Sequence, residues 1–176
     1  MPDVLTPAQR HRNMAAIHSD STKPEIKLRL ALWHRGFRYR KNDRHLPGSP
    51  DVVLPKYRTV IFVHGCFWHA HEGCNTFRLP RTNKDYWERK ITRNQARDQE
   101  VWRQLEALGW AVIIVWECQL KKSKLQEIID QVEAEIRRNG EFFRQSWEDR
   151  RRSRETYRTE SRARKQQEAA VLAELK

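Results

Sequence analysis

Two apolar runs separated by a long helical repeat constrain the fold more than any other feature. The runs "TVIFV" at 59–63 and "WAVIIVWEC" at 110–118 are almost continuously apolar, which is typical of strands buried on both faces of a sheet. A strand, a helix and a second strand in one sheet imply a crossover connection and parallel pairing. We therefore predict an α/β fold in which these two strands are neighbours and end at the same edge.

The helical repeat between the two runs is predicted to have one inward face. Its members recur at alternating steps of four and three residues, as expected for one side of a helix: Trp87, Ile91, Asn94, Asp98, Val101, Leu105 and Leu108. Two of these seven are polar, so the stripe combines core packing with hydrogen-bonding groups. Trp87 has an ordinary interpretation as a core residue.

The segments before the first run predict a helix and two further strands. Thr22 and Glu25 have the spacing of a capping box, and Gly36 ends the helix. Ile26, Leu30 and Trp33 share a face of this helix, with two leucines flanking it. "FRYR" alternates like an edge strand, and "DVVL" follows a turn. The predicted order is helix, three strands, helix, strand, with a covering helix at about 124–138.

Three cysteines and a histidine are predicted to meet at one edge of the sheet. Two of the cysteines follow the two predicted parallel strands, whose carboxyl ends share an edge. The other two residues lie on the loop "HGCFWHAHEGC" at 64–74. Together they make a Cys3His set, which is typical of a closed structural zinc site: Cys66, His71, Cys74 and Cys118. His64 or His69 is an alternative fourth ligand, and three buried thiols without metal are the alternative to a site.

A second cluster of polar residues predicts a hard-cation site. Asp51 begins one strand and residues 62–64 end the next, so they can face each other across an antiparallel pair, and a carboxylate there suits Mg2+. An imidazole beside metal-bound water suits a general acid or base. The candidates are Glu25, Asp51, His64, His69 and Asn94. The ordinary alternatives are that Glu25 caps its helix and that Asp51 closes a turn.

Charge favours a polyanionic partner. The chain carries 35 Lys and Arg against 23 Asp and Glu, and residues 1–80 hold most of the surplus. A basic lobe favours nucleic acid, and a solvated cationic surface is the alternative. We expect no membrane span and no secretory signal, hence a cytoplasmic, nucleoid-associated location. Beyond Asn139-Gly140 the chain is charged and poor in core residues, so residues 140–176 are predicted to be a helical or disordered extension.

The motifs in order resemble one nuclease family. "PGSPDVVL" followed by "VIFVHGCFWHAH", with "NM" at 13–14, "YW" before "ERKITRNQARD", and "LGWAVIIVWEC", is similar to the very-short-patch (Vsr) mismatch repair endonucleases over about residues 8 to 120. The resemblance implies a restriction-endonuclease-like core, related to the PD-(D/E)xK fold, as a mixed sheet flanked by helices. Residues 1–139 would form this domain, with a DNA-contacting helix at about 7–18.

The resemblance also implies residue roles. Asp51 and the backbone carbonyl of Val63 would hold Mg2+, and His69 would activate water. Glu25, His64 and Asn94 would support them, and the Cys3His set would hold structural zinc. An aromatic wedge and a residue in the other groove would enter the DNA beside the mismatch: Phe67, Trp68, Trp87 and Met14.

The implied function is Mg2+-dependent nicking of one DNA strand 5' of the T in T:G mismatches, which arise when 5-methylcytosine is deaminated. Such an enzyme acts on double-stranded DNA, with mismatch-repair proteins as potential partners, and we expect a monomer. Two alternatives use the same features. One is a zinc-stabilised DNA-binding protein without catalysis, and the other is a restriction-like or junction-cleaving nuclease on the same core.

Overall fold

The computed structural model describes residues 6, 8, 9, 12, 21–80 and 82–174. Within residues 21–174 the helices are α1 (Lys23–His34), α2 (Lys84–Ala107) and α3 (Leu125–Glu174), and the strands are β1 (Val52–Leu54), β2 (Thr59–His64) and β3 (Ala111–Trp116). A single 3-10 turn, Pro55–Tyr57, joins β1 to β2. The protein is therefore a mixed α/β structure around a small sheet.

The sheet has β2 at its centre. β1 pairs with β2 in the antiparallel sense, and Val52 lies opposite Ile61. β2 pairs with β3 in the parallel sense through six residue pairs, the last of which joins His64 to Trp116. The prediction of parallel neighbours is thus confirmed, and the segments that follow β2 and β3 leave the sheet at one edge.

Alternating side chains divide the core between the two faces of the sheet. On one face, Val52, Leu54 and Ile61 pack with apolar residues of α1 and α3. On the other face, Val53, Val60 and Phe62 pack with Leu105 of α2. The chain therefore builds three layers, with α1 and α3 on one side of the sheet and α2 on the other. Both edges of β2 are paired, and the sheet holds α2 against the end of β2 where the His/Cys loop begins.

The inward face of α1 differs from the predicted one. Ile26, Leu30 and Trp33 are 44%, 54% and 50% exposed, whereas the flanking leucines Leu28 and Leu32 are fully buried. The predicted face was wrong because the true inward face also carries two charged residues, Glu25 and Arg29. A hydrophobic pattern does not count charged residues as inward-facing. The helix therefore turns part of its polar chemistry toward the sheet.

Three further predictions need correction. "FRYR" is not a strand but contributes one isolated bridge, from Arg40 to Val53. Leu108 ends the α2 stripe at 52% exposure, because the helix has already ended at Ala107. The covering helix does not stop near residue 138: α3 continues through Gly140 to Glu174. Among the described residues, no helix is both long enough and apolar enough to cross a membrane.

Candidate active site and metal centre

A cleft at the end of β2 collects four of the five predicted catalytic residues, and Asn94 is not part of its described lining. It has a volume of about 490 Å³ and lies between the start of β1, the end of β2 and the inward face of α2. Five predicted or neighbouring polar groups line it: Glu25, Asp51, His64, His69 and Asp98. The loop that leads into β1 approaches α2 closely, since a Cβ on Gly48 (φ +70°) would lie 2.5 Å from Cγ1 of Val101. Glycine is required there, and it brings Asp51 to the cleft.

Asp51 faces the end of β2 as its position predicted. Its Oδ2 accepts a hydrogen bond from the backbone N–H of Val63 at 2.7 Å. Burial raises the pKa of Asp51 from 3.8 to about 6, and the negative charge of Glu25 adds to that rise. The Val63 hydrogen bond and the charge of Arg29 act in the opposite direction. A partly buried carboxylate beside a buried one is a site where a cation would relieve repulsion.

Glu25 is held from several sides. Its Oε1 accepts a hydrogen bond from the hydroxyl of Thr22 at 2.7 Å, and its Oε2 accepts one from the backbone N–H of Ser21 at 2.9 Å. Arg29 donates to the same Oε2 at 2.6 Å. The predicted capping by the Thr22 side chain is absent, because its hydroxyl donates to Glu25 and caps no backbone N–H. Glu25 thus has a fixed position in the cleft wall.

Two stacked histidines occupy the side of the cleft next to α2. The rings of His64 and His69 stack with centroids 3.8 Å apart. His69 Nδ1 lies 2.5 Å from Oδ2 of Asp98. A carboxylate can only accept, so Nδ1 carries the proton and Nε2 of His69 is left as the basic nitrogen. Burial lowers the pKa of His64 to about 4, with His69 as the next cause, so His64 is neutral at neutral pH.

An aromatic platform adjoins the histidines, on the same loop and on α2. The rings of Phe67 and Trp68 lie edge to face with their centroids 5.2 Å apart. The ring centroid of Trp87 is 5.2 Å from that of Phe67 and 6.0 Å from that of Trp68. Asn94 donates a hydrogen bond to the backbone carbonyl of Trp68 at 3.0 Å, so it fixes the loop that carries the platform. Met14 and the predicted helix at about 7–18 lie outside the residues that the structure describes, apart from residues 8, 9 and 12.

The predicted Cys3His set comes together beside the ends of β2 and β3. One donor atom from each of Cys66, His71, Cys74 and Cys118 lies within 4.8 Å of all the others. Nδ1 of His71 is 3.5 Å from Sγ of Cys66 and 3.3 Å from Sγ of Cys118. Tetrahedral zinc with ordinary bond lengths needs S···N separations of about 3.6 Å. The donor set therefore fits a tetrahedral metal ion.

Thiol chemistry in this set also favours a cation. Burial raises the pKa of Cys118 to about 12, and the neighbouring thiols of Cys66 and Cys74 add to the rise. Hydrogen bonds, the one with the Thr76 side chain first, instead lower the pKa of Cys74 to about 6. A metal ion would compensate the negative charge of the set and allow its cysteines to bind as thiolates. His71 is the histidine that the set includes, since His64 and His69 belong with Asp98 instead. The ring of His71 stacks on Trp116, 4.1 Å away and nearly parallel.

Sequence reasoning missed two residues that line the cleft, Asp98 and Asn42, and one behind it, Arg29. Asp98 was recognised only as a polar member of the α2 stripe, and its contact with His69 crosses 29 positions of sequence. Arg29 and Asn42 gave no signal, because an arginine in a basic chain and an asparagine in a loop are ordinary. Only the polar interruption of an apolar stripe at Asp98 could have suggested a functional role.

Comparison with known proteins identifies the family. A family model described as DNA mismatch endonuclease Vsr matches residues 2–76. The chain is 47% identical over 138 residues to the type II nicking enzyme V.NmeAIP of Neisseria meningitidis serogroup A, which covers 78% of this chain and 98% of that relative. It is 46% identical over 121 residues to DNA mismatch endonuclease Vsr of Escherichia coli, covering 69% and 77%. The type II nicking enzyme V.XorIIP of Xanthomonas oryzae is 44% identical over 135 residues, covering 74% and 98%. At these identities over 77% to 98% of each relative, the chain belongs to the Vsr family of DNA mismatch endonucleases.

Proposed function

We propose that the chain nicks one strand of duplex DNA 5' of the T in a T:G mismatch, with Mg2+ as the catalytic ion. The observation that carries this proposal is the continuity of two features on one loop. Residues 64–69 carry the two histidines of the cleft at their ends and two rings of the aromatic platform, Phe67 and Trp68, between them. A surface suited to base stacking therefore lies next to a carboxylate–imidazole site. The relatives named DNA mismatch endonuclease and nicking enzyme support the same reaction class.

The cleft residues suit a hard cation. The carboxylate of Asp51 is an oxygen ligand of the kind that Mg2+ prefers. The N–H of Val63 points at Asp51, and in an extended strand the carbonyl of the same residue points the same way, so it is the second proposed ligand. Mg2+ bound there would stabilise the charge that develops on the phosphoryl group during hydrolysis. Glu25 adds negative charge to the same wall of the cleft.

His69 is the proposed general base. Because Asp98 accepts the Nδ1 proton, Nε2 can take a proton from the attacking water. Asp98 also fixes the ring orientation, in the way that a carboxylate orients the histidine of a hydrolase. His64 is buried and neutral, and its ring supports His69 by stacking. Proton transfer therefore falls to a single imidazole.

The aromatic platform is the proposed mismatch sensor. Insertion of Phe67, Trp68 and Trp87 between base pairs costs a few kcal/mol of unstacking, and the cost is smallest at a mismatched step. Structural zinc held by the Cys3His set would brace the loop that carries two of these rings. Since the same loop carries His69, recognition and cleavage would be coupled through one rigid segment.

A nicking assay tests the proposal. Matched oligonucleotide duplexes with T:G, T:A and branched structures are incubated with the protein in Mg2+ or in EDTA. We expect a single 5'-side nick in the T-containing strand of the T:G duplex, only with Mg2+. Equal cleavage of paired DNA would favour a restriction-like nuclease, and preferred cleavage of the branched duplex would favour a junction nuclease.

The remaining proposals concern the fold, the domain bounds and the partners of the protein. A restriction-endonuclease-like core is supported by the helix–strand–strand–helix–strand order and by Asp51 at the edge of a mixed sheet. The family makes a DNA-binding protein without catalysis the weaker alternative. Residues 1–139 are proposed as the endonuclease domain, with 140–176 as an extension. Monomeric action and contact with mismatch-repair proteins remain predictions.

A further inference from the structure

A buried arginine stands behind the two cleft carboxylates. Arg29, on the inward face of α1, donates through Nη2 to Oε2 of Glu25 at 2.6 Å and to Oδ1 of Asn42 at 2.8 Å. The side chains of Arg29 and Glu25 are only 8% and 6% exposed. One guanidinium nitrogen thus ties the helix that carries Glu25 to the loop that leads toward Asp51.

This ion pair is a costly way to stabilise a fold. Burying a guanidinium and a carboxylate removes both from water, and an apolar pair of similar volume usually serves stability as well or better. Nε of Arg29 is also buried, and it has no hydrogen-bond partner in the described part of the chain. A buried donor without a partner is unfavourable and calls for an explanation. The position of the pair, in the wall of the catalytic cleft, points to function.

The geometry gives Arg29 two effects on the cleft. It holds Oε2 of Glu25 against the wall, together with Ser21 and Thr22 on the same carboxylate. Its positive charge also acts on Asp51, opposite in sign to the charge of Glu25. Arg29 therefore moderates the negative potential that a cation meets, while it keeps one carboxylate from turning toward that cation.

We propose that Arg29 is a positioning residue of the active site, which fixes the orientation of Glu25 and partly neutralises the carboxylate pair toward a divalent ion. The inference rests on the proposed function only in assigning the divalent ion to Asp51. Arg29 touches neither the ion nor the DNA in this account. Arg29 acts through Glu25, and Asn42 fixes the position of the guanidinium by accepting its second hydrogen bond.

Three variants test this role. Arg29→Met removes the charge and the donor. Arg29→Lys keeps the charge on a shorter side chain, whose nitrogen does not reach the position of Nη2 between the two partners. Asn42→Ala removes only the second hydrogen-bond acceptor of Arg29. Mn2+ binding to the DNA-free protein is measured by electron paramagnetic resonance. Nicking of the T:G duplex gives kcat and KM, and thermal melting checks folding.

The expected pattern separates charge from positioning. Arg29→Met should bind Mn2+ at least about 3-fold more tightly, because a neighbouring positive charge is gone. Its kcat should nevertheless fall at least about 10-fold with little change in KM, because Glu25 is no longer oriented. Arg29→Lys should keep the wild-type Mn2+ affinity and recover part of kcat. Asn42→Ala should lower kcat without changing Mn2+ affinity.

The matched control is Arg137→Met on α3. It breaks a second ion pair in which an arginine follows its glutamate by four residues, here Glu133 at 2.7 Å. None of the described side chains of α3 lines the cleft, so this variant should leave Mn2+ affinity and kcat unchanged. The proposal is overturned if Arg29→Met and Arg29→Lys both match the wild type, or if Arg29→Met binds Mn2+ more weakly. If Arg29→Met does not fold, Arg29→Lys and Asn42→Ala carry the same decision. A wild-type protein that does not nick would refute the proposed function, whereas the Mn2+ affinities of the variants would still test the role of Arg29.

Discussion

Replacing Asp51 by Asn should make the protein more stable at alkaline pH while abolishing nicking. The substitution keeps an oxygen that can accept the hydrogen bond from Val63 N–H, and it removes a partly buried negative charge. The pKa of Asp51 is about 6 in the folded protein against an ordinary 3.8. That difference corresponds to roughly 3 kcal/mol by which folding disfavours the Asp51 anion.

The sign of the pH dependence follows from the raised pKa. The folded state favours the protonated acid, so the contribution of Asp51 to stability is present below pH 3.8 and is lost as pH rises through about 6. Asp51→Asn should therefore exceed the wild type by about 1 kcal/mol at pH 4.5 and by about 3 kcal/mol at pH 8. Effects of the thiol cluster on stability are common to both proteins and cancel in this difference.

Urea denaturation without added Mg2+ measures the difference at each pH. Asp149→Asn, which removes an exposed carboxylate from α3, is the matched control and should change stability by less than about 0.5 kcal/mol. Mg2+ at pH 8 should then stabilise the wild type and not Asp51→Asn, because only the wild type offers a carboxylate ligand. A stability difference that does not change with pH, or a variant less stable than the wild type at pH 8, would refute the reasoning.

Three further predictions concern the other parts of the site. Asp98→Asn should lower kcat for nicking at least about 10-fold with unchanged DNA affinity, because His69 loses its orienting acceptor; single-turnover kinetics beside filter binding would measure this, and an unchanged kcat would contradict it. Cys118→Ser should lose one equivalent of zinc in a colorimetric release assay and melt at lower temperature; full zinc content would rule out the ligand assignment. Phe67→Ala should reduce the preference for T:G over T:A duplex, measured by competition binding, with nicking chemistry intact; an unchanged preference would remove the wedge.

The sheet and the Cys3His cluster were predictable because their signals are local. An uninterrupted apolar run indicates a strand buried on both faces, and a helix between two such runs leaves parallel pairing as the ordinary solution. The convergence of Cys66 and Cys118 then follows from chain direction alone, since both come two residues after paired strand ends. The contact between the Asp51 side chain and the end of β2 follows from the antiparallel hairpin in the same way.

The long helices were predicted less well than the strands. A helix has several faces, and a polar residue on the inward face carries no weight in a hydrophobic period. That is why α1 was assigned the face of Ile26 and Trp33 although Leu28 and Leu32 are buried. The covering helix was predicted to end at about residue 138, whereas α3 runs on through Gly140, which agrees with the helical alternative for the extension. One glycine lowers helix propensity by only about 1 kcal/mol, and neighbouring turns can offset that cost.

By itself the sequence determined the two parallel strands and the helix between them, the edge at which the functional loop emerges, and which thiols can share a metal ion. Only the tertiary structure decided which side chains touch across the cleft: Asp98 against His69, and Arg29 between Glu25 and Asn42. The physical reason is the separation along the sequence of the residues that determine each feature. Strand direction and spacing are properties of neighbouring residues, whereas the partner of a buried charge depends on which helix face the packed core turns toward the sheet.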